Sequence, residues 1–195
     1  ILYLVYTPLL TAREVPITIL STTDLHGTIL PTMDYEGNRD RGGIARLATK
    51  IAEIRKQTPN ALLIDSGDTI QGTAVSFLDK GQVIVKPVNH LKYDAWTLGN
   101  HEFDWGTDTI AACLAKAEVP VLAGNLKPVS EQAKKQFGMV KPFVIKEVDG
   151  VKVAIVDFGF SGYQALLGSE LPASVVARSF RADGDITRGG ERHGT

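Results

Sequence analysis

Two rhythms of apolar residues alternate along this chain. Short unbroken runs at 17–22 (ITILST), 61–66 (ALLIDS), 94–98 (DAWTL) and 119–123 read as buried strands. Between them, apolar positions recur at helical spacing. Ile44, Leu47, Ala48, Ile51 and Ile54 predict a helix over about 43–56, stopped by Pro59-Asn60. Residues 73–92 predict a helix in two pieces, with Gly81 as the break and Pro87 marking an irregularity. Thr107 or Asp108 is placed to cap a further helix running to about Ala117. After a polar connector at 125–139, apolar runs at 140–148 and 151–158 flank Asp149-Gly150, a strong hairpin signal. From Gly159 onward the periodicity decays into a stretch rich in glycine and arginine.

Strands alternating with helices of this length argue for an α/β fold with right-handed crossovers and a largely parallel sheet. Ligands of such sheets gather beyond the carboxyl ends of the strands. Three polar clusters fall there: Thr23-Asp24-Leu25-His26-Gly27, Gly67-Asp68-Thr69, and Gly99-Asn100-His101-Glu102-Phe103-Asp104. Asp24 and His26 flank one residue at the expected end of a strand, which would point both side chains to one side. Asp68 adds a carboxylate able to bridge two ions, and Asn100 a neutral amide oxygen. This mixed O/N set suits Zn, Mn, Fe or Co. Two such ions ~3.5–4 Å apart would clamp a phosphoryl group and activate a water for in-line attack. His101 is placed to act as cation or acid at the leaving oxygen, with Asp104 holding its ring.

Composition narrows this little. Of 195 residues, 44% are hydrophobic and 22% charged, and 21 Lys and Arg against 22 Asp and Glu give a net charge of −1. That balance supplies no field to steer the chain to nucleic-acid polymers or anionic membranes, so phosphate recognition has to be local. Cys113 is the single cysteine, which excludes an intrachain disulfide and a Cys-rich zinc site; its spacing makes it a buried small hydrophobe. Residues 1–12 are almost wholly apolar yet far short of the ~20 needed to span a bilayer. They read as the remnant of a secretory signal, with a buried first strand as the alternative. His90 reads as a structural or surface histidine, and Trp96 as core. Phe103 is a weaker candidate for base stacking, and Asn125 either touches substrate or fixes a turn.

The stretches TTDLHG (22–27), LLIDSGDTIQGT (62–73) and YDAWTLGNHEFDWG (93–106) resemble the bacterial 5′-nucleotidase and 2′,3′-cyclic-nucleotide 2′-phosphodiesterase group of calcineurin-like metallophosphoesterases. The resemblance runs over about 17–158. It implies an αββα sandwich, of which 13–158 would be the N-terminal portion of the catalytic domain. It implies two divalent metal ions, with Asp24, His26 and Asp68 on one and Asp68 and Asn100 on the second. It implies a catalytic dyad of His101 with Asp104, a nucleotide or cyclic-nucleotide substrate, and an exported, periplasmic location.

The departures are as specific. The family continues with a Ser-His and a Gly-His-x-His segment that complete the second metal site, and then a C-terminal domain that grips the nucleotide. Gly-His-x-His is absent from this sequence, and His193 is at most an echo of the Ser-His segment. Residues 159–195 therefore read as a divergent or truncated tail, consistent with a fragment or a shifted reading frame. Two alternatives to nucleotide hydrolysis follow: a catalytically inactive metal-binding remnant, and the same fold acting on UDP-sugars or sulfur-linked groups.

Overall fold

The structure, a computed structural model, describes residues 14–33 and 36–157. Four short strands, β1 (Ile19–Thr22), β2 (Leu62–Asp65), β3 (Ala95–Thr97) and β4 (Val121–Leu122), pair in parallel in the order in which they occur. Parallel neighbours need crossovers. Helix α1 (Ile44–Gln57) joins β1 to β2, α2 (Ala74–Asp79) and α3 (Gln82–Leu91) join β2 to β3, and α4 (Thr107–Leu114) joins β3 to β4. All four strands consequently end on one edge, and the loops leaving that edge carry the three polar clusters. Beyond β4, α5 (Glu131–Phe137) leads into an antiparallel hairpin of β5 (Phe143–Val148) and β6 (Val151–Val156). The α/β class and the parallel sheet expected from the sequence are both present.

The core lies between the sheet and its crossover helices, where Leu63, Ile84, Val88, Trp96, Ile110 and Leu114 are completely enclosed. Trp96 and Phe103 belong to this core, and His90 is exposed on α3. Cys113 is buried as its spacing implied; its thiol donates to the Lys80 carbonyl at 3.2 Å, and burial pushes it up to about 11. The hairpin is fastened to the opposite, amino-terminal edge of the sheet. Lys146 Nζ lies 2.9 Å from Asp94 Oδ1, and the Asn60 amide donates to Asp149 Oδ1 at 2.7 Å.

Several local expectations are corrected. The 125–139 connector contains α5, whose N-cap Ser130 accepts from the Ala133 N–H at 3.0 Å. Only Ala133 and Phe137 of that helix are buried, too few to set up a readable period. Neither Thr107 nor Asp108 caps α4: Gly106 holds the N-cap position, and Asp108 lies in the first turn, where its charge complements the helix dipole. That helix stops at Leu114, short of Ala117. Pro87 falls inside a continuous α3, whose buried face of Ile84, Val85, Val88 and Leu91 holds it against the core. The break between α2 and α3 is at Lys80-Gly81, both in the left-handed region. Among the described residues β1 is the outermost strand of its sheet, with Ile19 53% exposed, where a buried strand was expected.

Residues 1–12 and 159–195, with the signal-like segment and His193, lie outside the described residues. Among the described residues, no helix is long and apolar enough to cross a membrane.

Burial decides where truncation matters. Leu63→Ala empties a wholly enclosed position and is expected to cost about 2–5 kcal/mol in urea unfolding. Ile19→Ala on the open edge is expected to stay within about 1 kcal/mol.

Candidate metal centre

Loops leaving adjacent strands continue to pair after the strands end. The Ser66 N–H donates to the Thr22 carbonyl at 2.8 Å, Asp24 to Gly67 at 3.0 Å, His26 to Asp68 at 2.9 Å and Gly27 to Thr69 at 2.7 Å. This main-chain zipper brings the first two clusters side by side. The next loop is drawn in by the absence of side chains. A Cβ on Gly67 would lie 2.5 Å from Gly99 N, and one on Gly99 would strike the Asp68 carboxylate. Glycine at both positions permits a backbone-to-backbone approach that no other residue allows.

Asp24, His26 and Asp68 each offer one ligand atom, and these atoms all lie within 4.8 Å of one another. His26 Nε2 is 3.6 Å from Asp24 Oδ1. The opposite ring nitrogen, Nδ1, lies 2.6 Å from the Gln71 carbonyl. A carbonyl can only accept, so Nδ1 carries a proton, and in the neutral ring Nε2 is the nitrogen with a lone pair, on the side of the carboxylates. The group therefore has both the donor chemistry and the tautomer that a divalent cation requires.

The route to this convergence differs from strand alternation. β1 ends at Thr22, and Asp24, His26 and Asp68 take φ of 53°, 47° and 56°. Left-handed backbone at three non-glycine residues costs on the order of 1 kcal/mol each. It persists because the zipper holds Asp24 and His26, and the His101 N–H and the close approach of Gly99 hold Asp68.

The third cluster forms a short helical turn, His101–Phe103, entered from Asn100. The Asn100 carbonyl accepts from the Phe103 N–H at 3.2 Å, and the His101 N–H donates to Asp68 Oδ1 at 2.9 Å. Asn100 is thereby set next to the Asp68 carboxylate along the chain. The His101 ring stands 5.3 Å from the His26 ring, nearly edge to face, and its Nδ1 lies 2.7 Å from Asp104 Oδ2. The hydrogen bond that His101 Nδ1 donates to Asp104 holds the imidazole pKa above its ordinary value, reinforced by the charges of Asp104, Asp68 and Glu102 against some desolvation. This pairing stabilises the fold below about pH 6.5 and fades as pH rises through the higher folded value.

Two buried carboxylates beneath the site were not assigned roles from the sequence. Asp65, 1% exposed, accepts from the Thr22 and Thr69 hydroxyls and from the Gly67 N–H at 3.1 Å. Thr22 also bonds the Tyr93 hydroxyl at 3.0 Å, and Thr69 accepts from the Trp96 indole at 3.0 Å. Burial pushes Asp65 up to about 6. Glu102 is completely buried and accepts four main-chain N–H groups, from Asp68 (2.9 Å), Thr69 (2.6 Å), Ile70 (3.1 Å) and Gly99 (2.6 Å). Burial pushes it up to about 7, against the pull of those amides. The one signal available from the sequence was its place inside the third cluster.

A parallel α/β sheet with acidic and imidazole donors gathered beyond its carboxyl edge is the arrangement that comparison with known proteins assigns to the metallophosphoesterase type. The calcineurin-like phosphoesterase family model matches residues 17–152, and the chain belongs to that family. It is 38% identical over 148 residues to the human 5′-nucleotidase, covering 73% of this chain and 26% of that protein. It is also 38% identical over 152 residues to a trifunctional nucleotide phosphoesterase of Bacillus subtilis, covering 70% of this chain and 10% of that protein. Among solved structures, the 5′-nucleotidase precursor of Thermus thermophilus superposes with a TM-score of 0.67 at 29% identity, over 76% of this chain and 29% of that one. The chain thus spans between a tenth and three tenths of the length of these relatives.

Two outcomes test the geometry. Gly99→Ala places a methyl on the Asp68 carboxylate and is expected to weaken Mn²⁺ binding about tenfold or more, read by calorimetry. Asp104→Asn removes the carboxylate charge that favours the His101 cation, and the proton NMR titration of His101 is expected to move to lower pH.

Proposed function

We propose that this chain carries the metal-binding half of a catalytic site that hydrolyses nucleotide phosphate esters, of the 5′-nucleotidase or 2′,3′-cyclic-nucleotide phosphodiesterase type. The observation that carries the proposal is the meeting of Asp24, His26 and Asp68 within 4.8 Å, with the His101–Asp104 pair alongside. Asp24, His26 and Asp68 would hold one divalent ion, and Asp68 with Asn100 would serve a second. Bound there, such ions supply Lewis acidity toward phosphate and toward an attacking water.

The remaining chemistry belongs to side chains. His101 commits Nδ1 to Asp104, which leaves Nε2 free to face the leaving oxygen. The hydrogen bond to Asp104 raises the affinity of His101 for its proton, which favours the cation at that position. Asp104 fixes the ring and balances its charge. The nucleotide substrate is supported by relatives named as nucleotidases, and an extracytoplasmic setting by the apolar segment at 1–12.

A second reading, metal binding without turnover, is favoured by the donor count. Among the described residues, three donors converge for one ion, and Asn100 alone is added for another. Ions bound per chain and turnover, measured together, separate the two readings.

In the natural polypeptide, Asp68→Ala is expected to lower metal-dependent release of phosphate from a 5′-nucleotide by more than about 100-fold. Chelation of the wild-type protein should do the same, reversibly on adding back Mn²⁺. Undiminished activity in Asp68→Ala rejects the assignment.

A further inference from the structure

We propose that Glu102 is the positioning residue of this site, clamping the Asp68 and His101 loops to each other through its carboxylate. The inference rests on the reading of Asp68 as a metal ligand and adds a residue that the ligand set and the dyad do not contain.

Amides of loops that leave a sheet have lost their ladder partners and need others. Here Asp68, Thr69 and Ile70 turn three consecutive N–H groups toward one point, with Asp68 in the left-handed region. Successive amides in such a turn form an anion-binding concavity. The anion is built in. Glu102 Oε1 accepts from Thr69 and Ile70, and Oε2 from Asp68 and, across the gap, from Gly99. All the acceptor directions of a carboxylate are in use, which is the hydrogen-bonding demand of the ionised form.

The arrangement is reciprocal. The main chain of Asp68 donates to the side chain of Glu102, while the main chain of His101 donates to the side chain of Asp68. Neither loop can shift without breaking a bond on the other. Glu102 therefore sets the spacing of the two main chains, and that spacing keeps the His101 N–H within reach of the Asp68 carboxylate. An amide at this position cannot reproduce the effect. It has one acceptor oxygen, and its NH₂ would confront two N–H groups that then go unpaired in a buried site.

The test uses the 195-residue chain, amide hydrogen exchange and calorimetric titration with Mn²⁺ alone. Glu102→Gln is expected to speed exchange at one of the two amide pairs, Thr69 with Ile70 or Asp68 with Gly99, about tenfold or more. Amides of Leu63 and Ile64 in β2 should be unchanged. Mn²⁺ affinity should fall about tenfold or more, and Glu102→Asp, which keeps the charge on a shorter stem, should recover part of it. A folded Glu102→Gln chain with wild-type Mn²⁺ affinity overturns the proposal. Should that variant not fold, Glu102→Asp is read on the same two measurements, and wild-type values for both overturn it equally. Asp68→Ala run in parallel keeps the two ideas apart. Loss of Mn²⁺ there with full affinity in Glu102→Gln refutes the clamp alone, whereas full affinity in Asp68→Ala removes the metal site and the clamp with it.

Discussion

The near-contact of two glycines, Gly67 and Gly99, is the constraint on which the rest of the site depends. Parallel strands about 4.8 Å apart deliver their loops as neighbours, yet side chains would normally hold those loops further apart. Removing both Cβ atoms lets the main chain after β2 touch the main chain after β3. Only then can Glu102, on the second loop, reach the amides of the first, and only then does the His101 N–H meet the Asp68 carboxylate. The sequential order of the sheet is the coarse device that gathers the clusters. Backbone contact is the fine one that brings functional atoms within a few ångströms.

Strain and restraint are paired at this edge. Three of the proposed ligand and loop residues sit in left-handed backbone, an arrangement that a free chain would abandon. Each is held by neighbouring chain: Asp24 and His26 by main-chain bonds to the loop after β2, Asp68 by its bonds with His101 and Glu102. Aspartate and histidine tolerate this region better than most non-glycine residues. The same residue types thus satisfy the metal chemistry and the turn geometry, which makes the short spacing Asp-x-His workable without a strand beneath it.

How much of this was readable beforehand depended on whether a feature leaves a periodic or chemical trace. Strands β2 to β4 announced themselves because both faces are buried, so their apolar runs are unbroken. β1 gave the same run and lies at an edge, since a run records residue type and carries no information about which neighbour covers it. α5 escaped notice because its two buried positions, Ala133 and Phe137, make a single turn of contact inside an otherwise polar stretch. The start of α4 was misjudged by the same reasoning that works elsewhere: Thr73 and Ser130 do cap their helices with side chains, whereas Gly106 does so with none. Asp24, His26, Asp68, His101 and Asp104 were legible as chemistry. Glu102 was not, because a carboxylate that serves main-chain amides has no partner residue type for a pattern to find.

The electrostatics of the assembled edge point in one direction. Asp24 raises Asp65, Asp65 raises Glu102, and Asp68 with Glu102 and Asp104 raises His101, so the principal charges acting among these groups are carboxylates. For the two buried acids, burial is the larger cost and mutual repulsion adds to it, and the hydrogen bonds only partly offset the two. Thr22, Thr69 and the four amides on Glu102 stabilise the anions from behind, on the protein side of the wall. In front, Asp24 is more than half exposed, and His26 turns Nε2 toward it. A divalent cation at that point would meet three converging donors and relieve repulsion that nothing behind the wall can reach. The negative field is therefore part of the site's chemistry: it favours a metal over an organic cation, which could not satisfy donors packed this tightly.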